Sequence, residues 1–276
     1  MRLATWNIQW GRGIDGIVDC ARIAGWLRAQ DPDMICLQEV ADGMADLAGA
    51  DGSDEFAAFA ALFPGYQLVD GAGVETWDDQ GRRRRFGNAI LTRFPLAQVR
   101  RHALPWLDDG KMTMPRLLLE ALVVAPQGPL RLMTTHFEYF SSAARDAHVD
   151  TIVRLLGEAH ARATNPPAVG SGPYAPTPQT ISTILTGDFN MRPQDPARLR
   201  LEQPVAGYAP LVDAWRALHG AAAHPPSFCI ADQTYGEPHC ADYVYVSVDL
   251  APRVRAIAYD QDCRFSDHQP VVVDFS

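Results

Sequence analysis

A chain of 276 residues with 47% apolar and 21% charged side chains has the makeup of a globular protein that can bury a substantial core. Its formal charge of −9 excludes a protein that coats nucleic acid by bulk electrostatics, though a divalent cation or a local basic strip can still hold phosphate. No apolar run approaches the roughly 18 residues of a membrane helix, so no stable membrane insertion is expected.

The opening "MRLATWNIQW" lacks a signal-peptide core and passes straight into a strand over 2–9, which makes the cytoplasm the expected location. "GIVDCARIAGWLRAQ" sets Ile17, Val18, Ala21, Ala24 and Leu27 on one helical face, with Asp15 as the cap. Asp31-Pro32-Asp33 ends that helix, and "MICLQEV" is a compact strand that carries Glu39 near its end. A short helix is predicted around Glu55–Leu62, closed by Pro64-Gly65. Strands follow in succession: "YQLVD", "NAILTRF", "AQVRRHAL", "RLLLEALVV" and "LRLMTTHF", separated by turn signals such as Gly81, Pro95, Asp108-Asp109-Gly110 and Gly128-Pro129. "GRRRRFGN", with Arg82, Arg83, Arg84 and Arg85, reads either as a solvated hairpin tip or as a strip that holds phosphate; in the second case Arg84 and Arg85 contact substrate.

A helix is predicted over about 143–163, with Val149, Ile152, Val153, Leu156 and Ala159 on its inner face. Residues 164–179 are rich in Pro, Gly and Ser and read as a surface loop within a single domain spanning 1–276. The apolar strand from Ile181 then ends in Gly187-Asp188-Phe189-Asn190 and is stopped by Pro193. Gly187 lets the backbone bend or come close to something, and strand alternation aims Asp188 and Asn190 one way and Phe189 the other. The same Asp/Asn pair also suits a turn. A helix or turn near Pro210–Leu218 precedes three last strands, "YVYVSV", "VRAIAYD" and "PVVVDF". This order predicts a mixed α/β domain with antiparallel sheets.

Five scattered cysteines (Cys20, Cys36, Cys229, Cys240, Cys263) show no CxxC spacing and read as reduced thiols. His239-Cys240 with Asp242 has no second ligand cluster nearby and is not read as a metal corner. A stronger pattern links the strand ends. Asn7, Glu39, His136, Asp188 with Asn190, Asp242, and Asp267-His268 each interrupt or cap an apolar strand, and buried polar groups require partners. Asn, Glu and Asp are hard oxygen ligands suited to magnesium or manganese rather than zinc. A His beside an Asp serves as a general base or holds developing negative charge. With no GxSxG elbow and no P-loop, metal-assisted hydrolysis of a phosphate ester is the chemistry these residues fit.

Assembled in order, "TWNIQ", "LQEV", "GNAILTRFP", "TTHF", "TGDFN", "ADYVYVS" and "SDHQPV" resemble the motifs of the endonuclease/exonuclease/phosphatase superfamily, over residues 3–275. The resemblance implies an α+β fold, a four-layered α/β/β/α sandwich of two mixed β-sheets packed face to face with helices outside, as in deoxyribonuclease I. It also implies roles. Glu39 would be the principal metal ligand, supported by Asn7 and Asp267; Asp188 would orient or activate water and Asn190 would bond the phosphate. His268 would sit on the scissile phosphate, oriented by Asp242, and His136 would contact a non-bridging oxygen. Asn88, of the "GN" pair, and Arg145 would support substrate binding. The chain departs from the pattern at His148, where relatives of this type carry Gln, and at Cys240, where they often carry Arg.

The leading expectation is a magnesium-dependent phosphodiesterase acting on nucleic acid, with Trp10 and Trp77 available to stack on bases. The alternative is hydrolysis of phospholipid head groups or inositol phosphates, for which "LPWLDDGKMTMP", residues 104–115, supplies an apolar loop. A non-catalytic protein that kept the fold would be marked by a missing ligand, and none is missing. No protein partner is predicted, and a monomer is expected.

Overall fold

The computed structural model describes residues 1–204 and 209–276. In chain order the first half comprises β1 (Arg2–Asn7), α1 (Cys20–Gln30), β2 (Met34–Asp42), α2 (Glu55–Leu62), β3 (Gln67–Trp77), β4 (Arg83–Thr92), β5 (Leu96–Ala103) and β6 (Leu117–Ala125). There follow β7 (Gly128–His136), α3 (Ser142–Thr164), β8 (Thr183–Asp188), α4 (Pro196–Leu199), β9 (Leu211–Asp213) and α5 (Ala214–His219). The last three are β10 (Asp242–Ser247), β11 (Val254–Tyr259) and β12 (Val271–Phe275).

The strands form two six-stranded sheets, ordered β11-β12-β1-β2-β4-β3 and β5-β6-β7-β8-β10-β9. Each sheet holds one parallel pair at its centre, β1/β2 and β7/β8, and each pair is joined by a helix, α1 and α3. The remaining neighbours are antiparallel. Parallel partners need a crossover, and the helix that supplies it buries an apolar stripe against the outer face of its own sheet.

Strand alternation divides the side chains between a shared inner core and two outer ones. Leu3, Met34, Cys36, Val69 and Ile90 of the first sheet meet Leu119, Ala121, Leu132, Ile184, Val244 and Val246 of the second in a shared inner core. On the outer face of the first sheet, Ala4, Trp6, Ile35, Leu37 and Leu91 pack with Ile23, Ala24 and Leu27 of α1 and Phe56 and Phe59 of α2. On the outer face of the second, Met133, Leu185, Tyr243 and Tyr245 pack with Val149, Ile152, Leu155 and Leu156 of α3. This is the four-layered sandwich that the resemblance implied.

Several local expectations are corrected. Helix α1 begins at Cys20 with Asp19 as its cap, accepting from the Ala21 and Arg22 amides. Asp15 instead pairs with Arg22, and Ile17 is 58% exposed in the turn before the helix. On α3, Leu155 takes the fully inward place given to Val153, and Val153 packs partly buried at the margin. Strands β3 and β4 are longer than predicted, reaching Trp77 and starting at Arg83, because the arginine segment continues the ladder as a hairpin.

Candidate active site

The topology dictates where polar strand ends gather. The carboxyl ends of a central parallel pair lie at one edge of a sheet, and an antiparallel neighbour starts at that same edge. Asn7 and His136 therefore share an edge with Glu39 and Asp188, and with Asp242 and Asp267-His268 at or just before the starts of β10 and β12. In the second sheet Asp188 pairs in register with His136 on one side and Asp242 on the other. The two sheets face each other, so Glu39, Asp267 and His268 from the first and His136 and Asp188 from the second line one cleft of about 440 Å³, with Asn7 and Asp242 buried behind them.

Local backbone devices aim the side chains. Between Leu37↔Ala89 and Val40↔Gly87, Gln38 and Glu39 oppose the single residue Asn88, a bulge that carries Glu39 into left-handed space at φ 59°. Gly187 has φ 144°, and a Cβ there would lie 1.9 Å from the Thr135 carbonyl oxygen, so only glycine lets β8 lie so close to β7 at this edge. Strand β8 ends at Asp188, yet the predicted division of faces holds: Phe189 is buried against Phe137, Tyr243 and Tyr245, while Asp188 and Asn190 line the cleft. Asn190, at φ 50°, donates its backbone N–H to Asp188 Oδ1 at 2.9 Å, so the turn and the polar site are one feature.

Hydrogen bonds bind the two sheets' contributions into one network. Asn7 Nδ2 donates to Glu39 Oε1 at 2.9 Å and to Asp188 Oδ2 at 3.0 Å. Gln9 Nε2 donates to Asp267 Oδ2 at 2.9 Å. His268 Nδ1 lies 2.8 Å from Asp242 Oδ2, which also accepts from Ser227 Oγ at 2.7 Å, and His268 Nε2 stands 3.5 Å from Asp188 Oδ2. His136 bridges the seam, with Nε2 3.4 Å from Asp188 Oδ2 and Nδ1 3.9 Å from Glu39 Oε1.

Electrostatics separates the roles these groups can take. Burial pushes the carboxyls of Glu39, Asp188 and Asp267 upward; Asp267 adds to the effect at Glu39, while Asn7 and His268 work against it. Burial opposes a charge on His268, but Asp242 and Asp188 outweigh it and hold its pKa well above the ordinary value. His136 is held well below, by burial first and then by Arg116 and His268. The two imidazoles are therefore pushed opposite ways, His268 toward its cationic form and His136 toward its neutral form. Three buried carboxyls face one imidazole and are otherwise held by neutral amides, Glu39 and Asp188 by Asn7 and Asp267 by Gln9, so ionising all three leaves uncompensated negative charge. A hard divalent cation fits that set. Asp188, Asp242 and His268 also have ligand atoms within 4.8 Å of one another. There His268 Nδ1 and Asp242 are joined by a hydrogen bond, whereas Glu39, Asp267 and Asn7 offer oxygen donors that could hold a hard cation.

The other sequence candidates take different places. Asn88 is buried behind His136; its Nδ2 donates to the Leu117 carbonyl at 3.0 Å, and its Oδ1 is buried with no hydrogen-bond partner. Arg145 does not line the cleft; its Nη1 donates to the carbonyls of Glu138 at 3.0 Å and Tyr139 at 2.6 Å, fixing the turn that carries Tyr139. His148 packs on Phe137 and bonds the Pro105 carbonyl, with burial lowering its pKa to about 4. Arg84 and Arg85 are not brought into the cleft either. Arg84 pairs with Asp46, and Arg85 with Asp42 at 2.8 Å, Asp54 at 3.2 Å and Asp70 at 3.5 Å. Arg82 and Arg83 are likewise matched by Asp78 and Glu75. Trp10 lines the cleft, whereas Trp77 is 62% exposed at the end of β3. Cys240 is buried with its thiol toward the Asp242 carbonyl at 3.3 Å and its pKa pushed up to about 12 by burial, away from any metal role.

Sequence reasoning missed Gln9, Arg116, Tyr139, Ser227, Phe228 and Tyr235. Gln9 stood inside "TWNIQ", and Arg116 immediately precedes a strand that starts at the same edge, so both had a signal. Ser227, Phe228 and Tyr235 lie in an aperiodic segment that pattern reasoning cannot place.

A two-sheet sandwich with carboxylates, amides and an Asp-backed histidine at one edge defines a phosphoester hydrolase. The chain belongs to the Endonuclease/Exonuclease/phosphatase family, whose profile matches residues 4–268, and whose enzymes are generally dependent on a divalent metal. An endonuclease/exonuclease/phosphatase from Beutenbergia cavernae DSM 12333 is similar in structure, with a TM-score of 0.69, 23% identity, and coverage of 99% of this chain and 70% of that one. A mannosyl-6-phosphatase from Bacteroides thetaiotaomicron gives 0.69 at 16% identity, covering 100% and 99%. The human Nocturnin catalytic domain with bound sulfate gives 0.67 at 18% identity, covering 100% and 93%. No curated protein matches the chain in sequence. No helix among the described residues is long and apolar enough to cross a membrane.

Proposed function

We propose that the protein is a magnesium-dependent phosphodiesterase whose substrate is a small phosphodiester rather than a long nucleic acid. The observation that carries this reading is the convergence of Glu39, Asn7, Asp267, Asp188, His136 and His268 from both sheets on one cleft. Manganese suits the same oxygen set. When bound by Glu39 with Asp267 and Asn7, the cation supplies neutralisation of charge on phosphate and on the leaving oxygen.

The protein's own groups do the rest. His268, kept cationic by Asp242, donates Nε2–H toward a phosphate oxygen, and its charge opposes the negative charge that develops there. Because His268 already holds its proton, Asp188 is the group that receives one from water, its orientation fixed by Asn7 and the Asn190 amide. Neutral His136 donates a hydrogen bond without adding charge. Asn190 commits one amide N–H to the Phe137 carbonyl at 3.0 Å and keeps its remaining polar atoms for substrate.

Nucleic acid as substrate drew its support from Arg82–Arg85 and from Trp10 and Trp77; carboxylate partners for all four arginines withdraw the first part, while of the two tryptophans only Trp10 lines the cleft. Purified protein with magnesium should hydrolyse bis(p-nitrophenyl) phosphate, and EDTA should stop it. Glu39→Gln and His268→Ala should each lower kcat by at least about a hundredfold. Absence of turnover with magnesium and with manganese would sink the proposal.

A further inference from the structure

The cleft has walls as well as a polar floor. Phe228 stacks on the His268 imidazole, with ring centroids 4.3 Å apart and planes 20° from parallel. Tyr235 lies beyond it, 6.3 Å from Phe228 and tilted by 22°. Tyr139 meets Tyr235 edge-on at 5.7 Å, and Phe140 meets Tyr139 at 4.9 Å. Aromatic rings thus run without a break from the reacting histidine to the mouth, where Tyr235 is 56% and Phe140 47% exposed. The first sheet, with Val74 and Phe86, and the segments that follow β1 and β2, with Trp10, Met44 and Leu47, supply a facing wall.

The charges in the cleft are arranged otherwise than a polyanion needs. Among the described residues lining the cleft, Arg116 is the only Arg or Lys, and its Nε is 3.2 Å from Glu138 Oε2. The nearby arginine strip is neutralised pair by pair. A polar floor at one end, flanked by apolar walls, is the arrangement of a pocket for a ligand that is charged at one point and apolar beside it. Exposed rings rimming such a pocket gain by being covered, and aromatic faces are covered best by a planar group.

We propose that the Phe228–Tyr235–Tyr139–Phe140 wall is a specificity subsite that selects phosphate esters carrying a planar, apolar substituent next to the phosphorus. The proposal rests on the phosphoesterase reading above and names the substrate class of that same site. The substituent lies against Tyr235 and Tyr139, with Phe140 closing over its far edge, while the phosphate stays on the polar floor.

Calorimetry with magnesium present, using phenylphosphonate and methylphosphonate as uncleaved probes of equal charge, tests this directly. Wild-type protein should bind phenylphosphonate at least about tenfold tighter. Tyr235→Ala and, independently, Phe140→Ala should each bring the ratio toward one, with far-UV circular dichroism confirming the fold. Equal affinities in the wild type, no binding of either probe, or an unchanged ratio in both variants would overturn the subsite. A single-stranded octanucleotide that binds tighter than phenylphosphonate would instead overturn the small-substrate reading, by putting a polyanion in the cleft. If the phenyl preference holds while bis(p-nitrophenyl) phosphate is not turned over, the subsite stands and the hydrolase reading alone fails.

Discussion

Asp242 is the residue whose work is least visible from its own position. It never lines the cleft, yet it holds His268 Nδ1 at 2.8 Å and is itself held by Ser227. Asp242→Asn removes the charge that keeps His268 protonated. We expect kcat to fall by about a hundredfold and the alkaline limb of the pH–rate profile to move to lower pH, because the imidazole then loses its proton sooner. A profile that only scales down without moving would remove this role. Away from the site, Glu55 is buried at the start of α2, and its pKa is pushed up to about 8 by burial, against the bond it accepts from the Ala41 amide. A folded-state value above the unfolded one means that the contribution of Glu55 to stability is fully present below about pH 4.5 and is lost as the pH rises toward 8. Glu55→Gln keeps an acceptor for Ala41 and carries no charge. Its melting temperature at pH 8 should exceed the wild type's by about 5 °C, with little difference at pH 4.5, by scanning calorimetry.

At the scale of elements, the site depends on two departures from regular strand. The β2 bulge was not legible in "MICLQEV", because nothing in an apolar run marks which residue lacks a partner; only pairing with β4 reveals it. The close approach at Gly187 was half legible. The sequence offered glycine before Asp188, and the tertiary structure supplied the Thr135 carbonyl that makes it obligatory. Gly187→Ala must both hold φ 144° with a side chain and push β7 aside, so we expect a loss of about 2–4 kcal/mol in urea unfolding. Turnover should fall as well, since Asp188 is the next residue. The α1 boundary shows the opposite error: Ile17 and Val18 continue the helical spacing, but Asp19 caps more effectively than Asp15 because it directly precedes the first turn.

For the molecule as a whole, the two sheets share one inner core, from which we expect a single unfolding transition across the chain. Magnesium at about a hundred times its Kd should stabilise the fold by roughly 2.7 kcal/mol, and Glu39→Gln should abolish that gain. Net negative charge with its arginine strip neutralised gives a shallow dependence on salt. The value of kcat/KM on bis(p-nitrophenyl) phosphate should change less than about twofold between roughly 50 and 200 mM NaCl. A steep fall would mean that guanidinium groups leave their carboxylates to hold substrate.

The residues by themselves determined the crossover helices, the polar set at the strand ends and all the strands but β9, which lies where a helix or turn was expected, because apolar periodicity and the interruption of apolar runs are local properties. The motif order was enough to indicate the four-layered sandwich and the phosphoesterase class. What only the tertiary structure decided is which charges remain available. Arg84 and Arg85 look uncommitted in a basic run, and their fate depends on Asp42, Asp46, Asp54 and Asp70, carboxylates that only folding brings beside them. The aromatic wall was decided the same way: Phe228 and Tyr235 become a surface for substrate only because the segment before β10 is laid against His268. Sequence spacing records neighbours along the chain, whereas charge cancellation and ring stacking act through space.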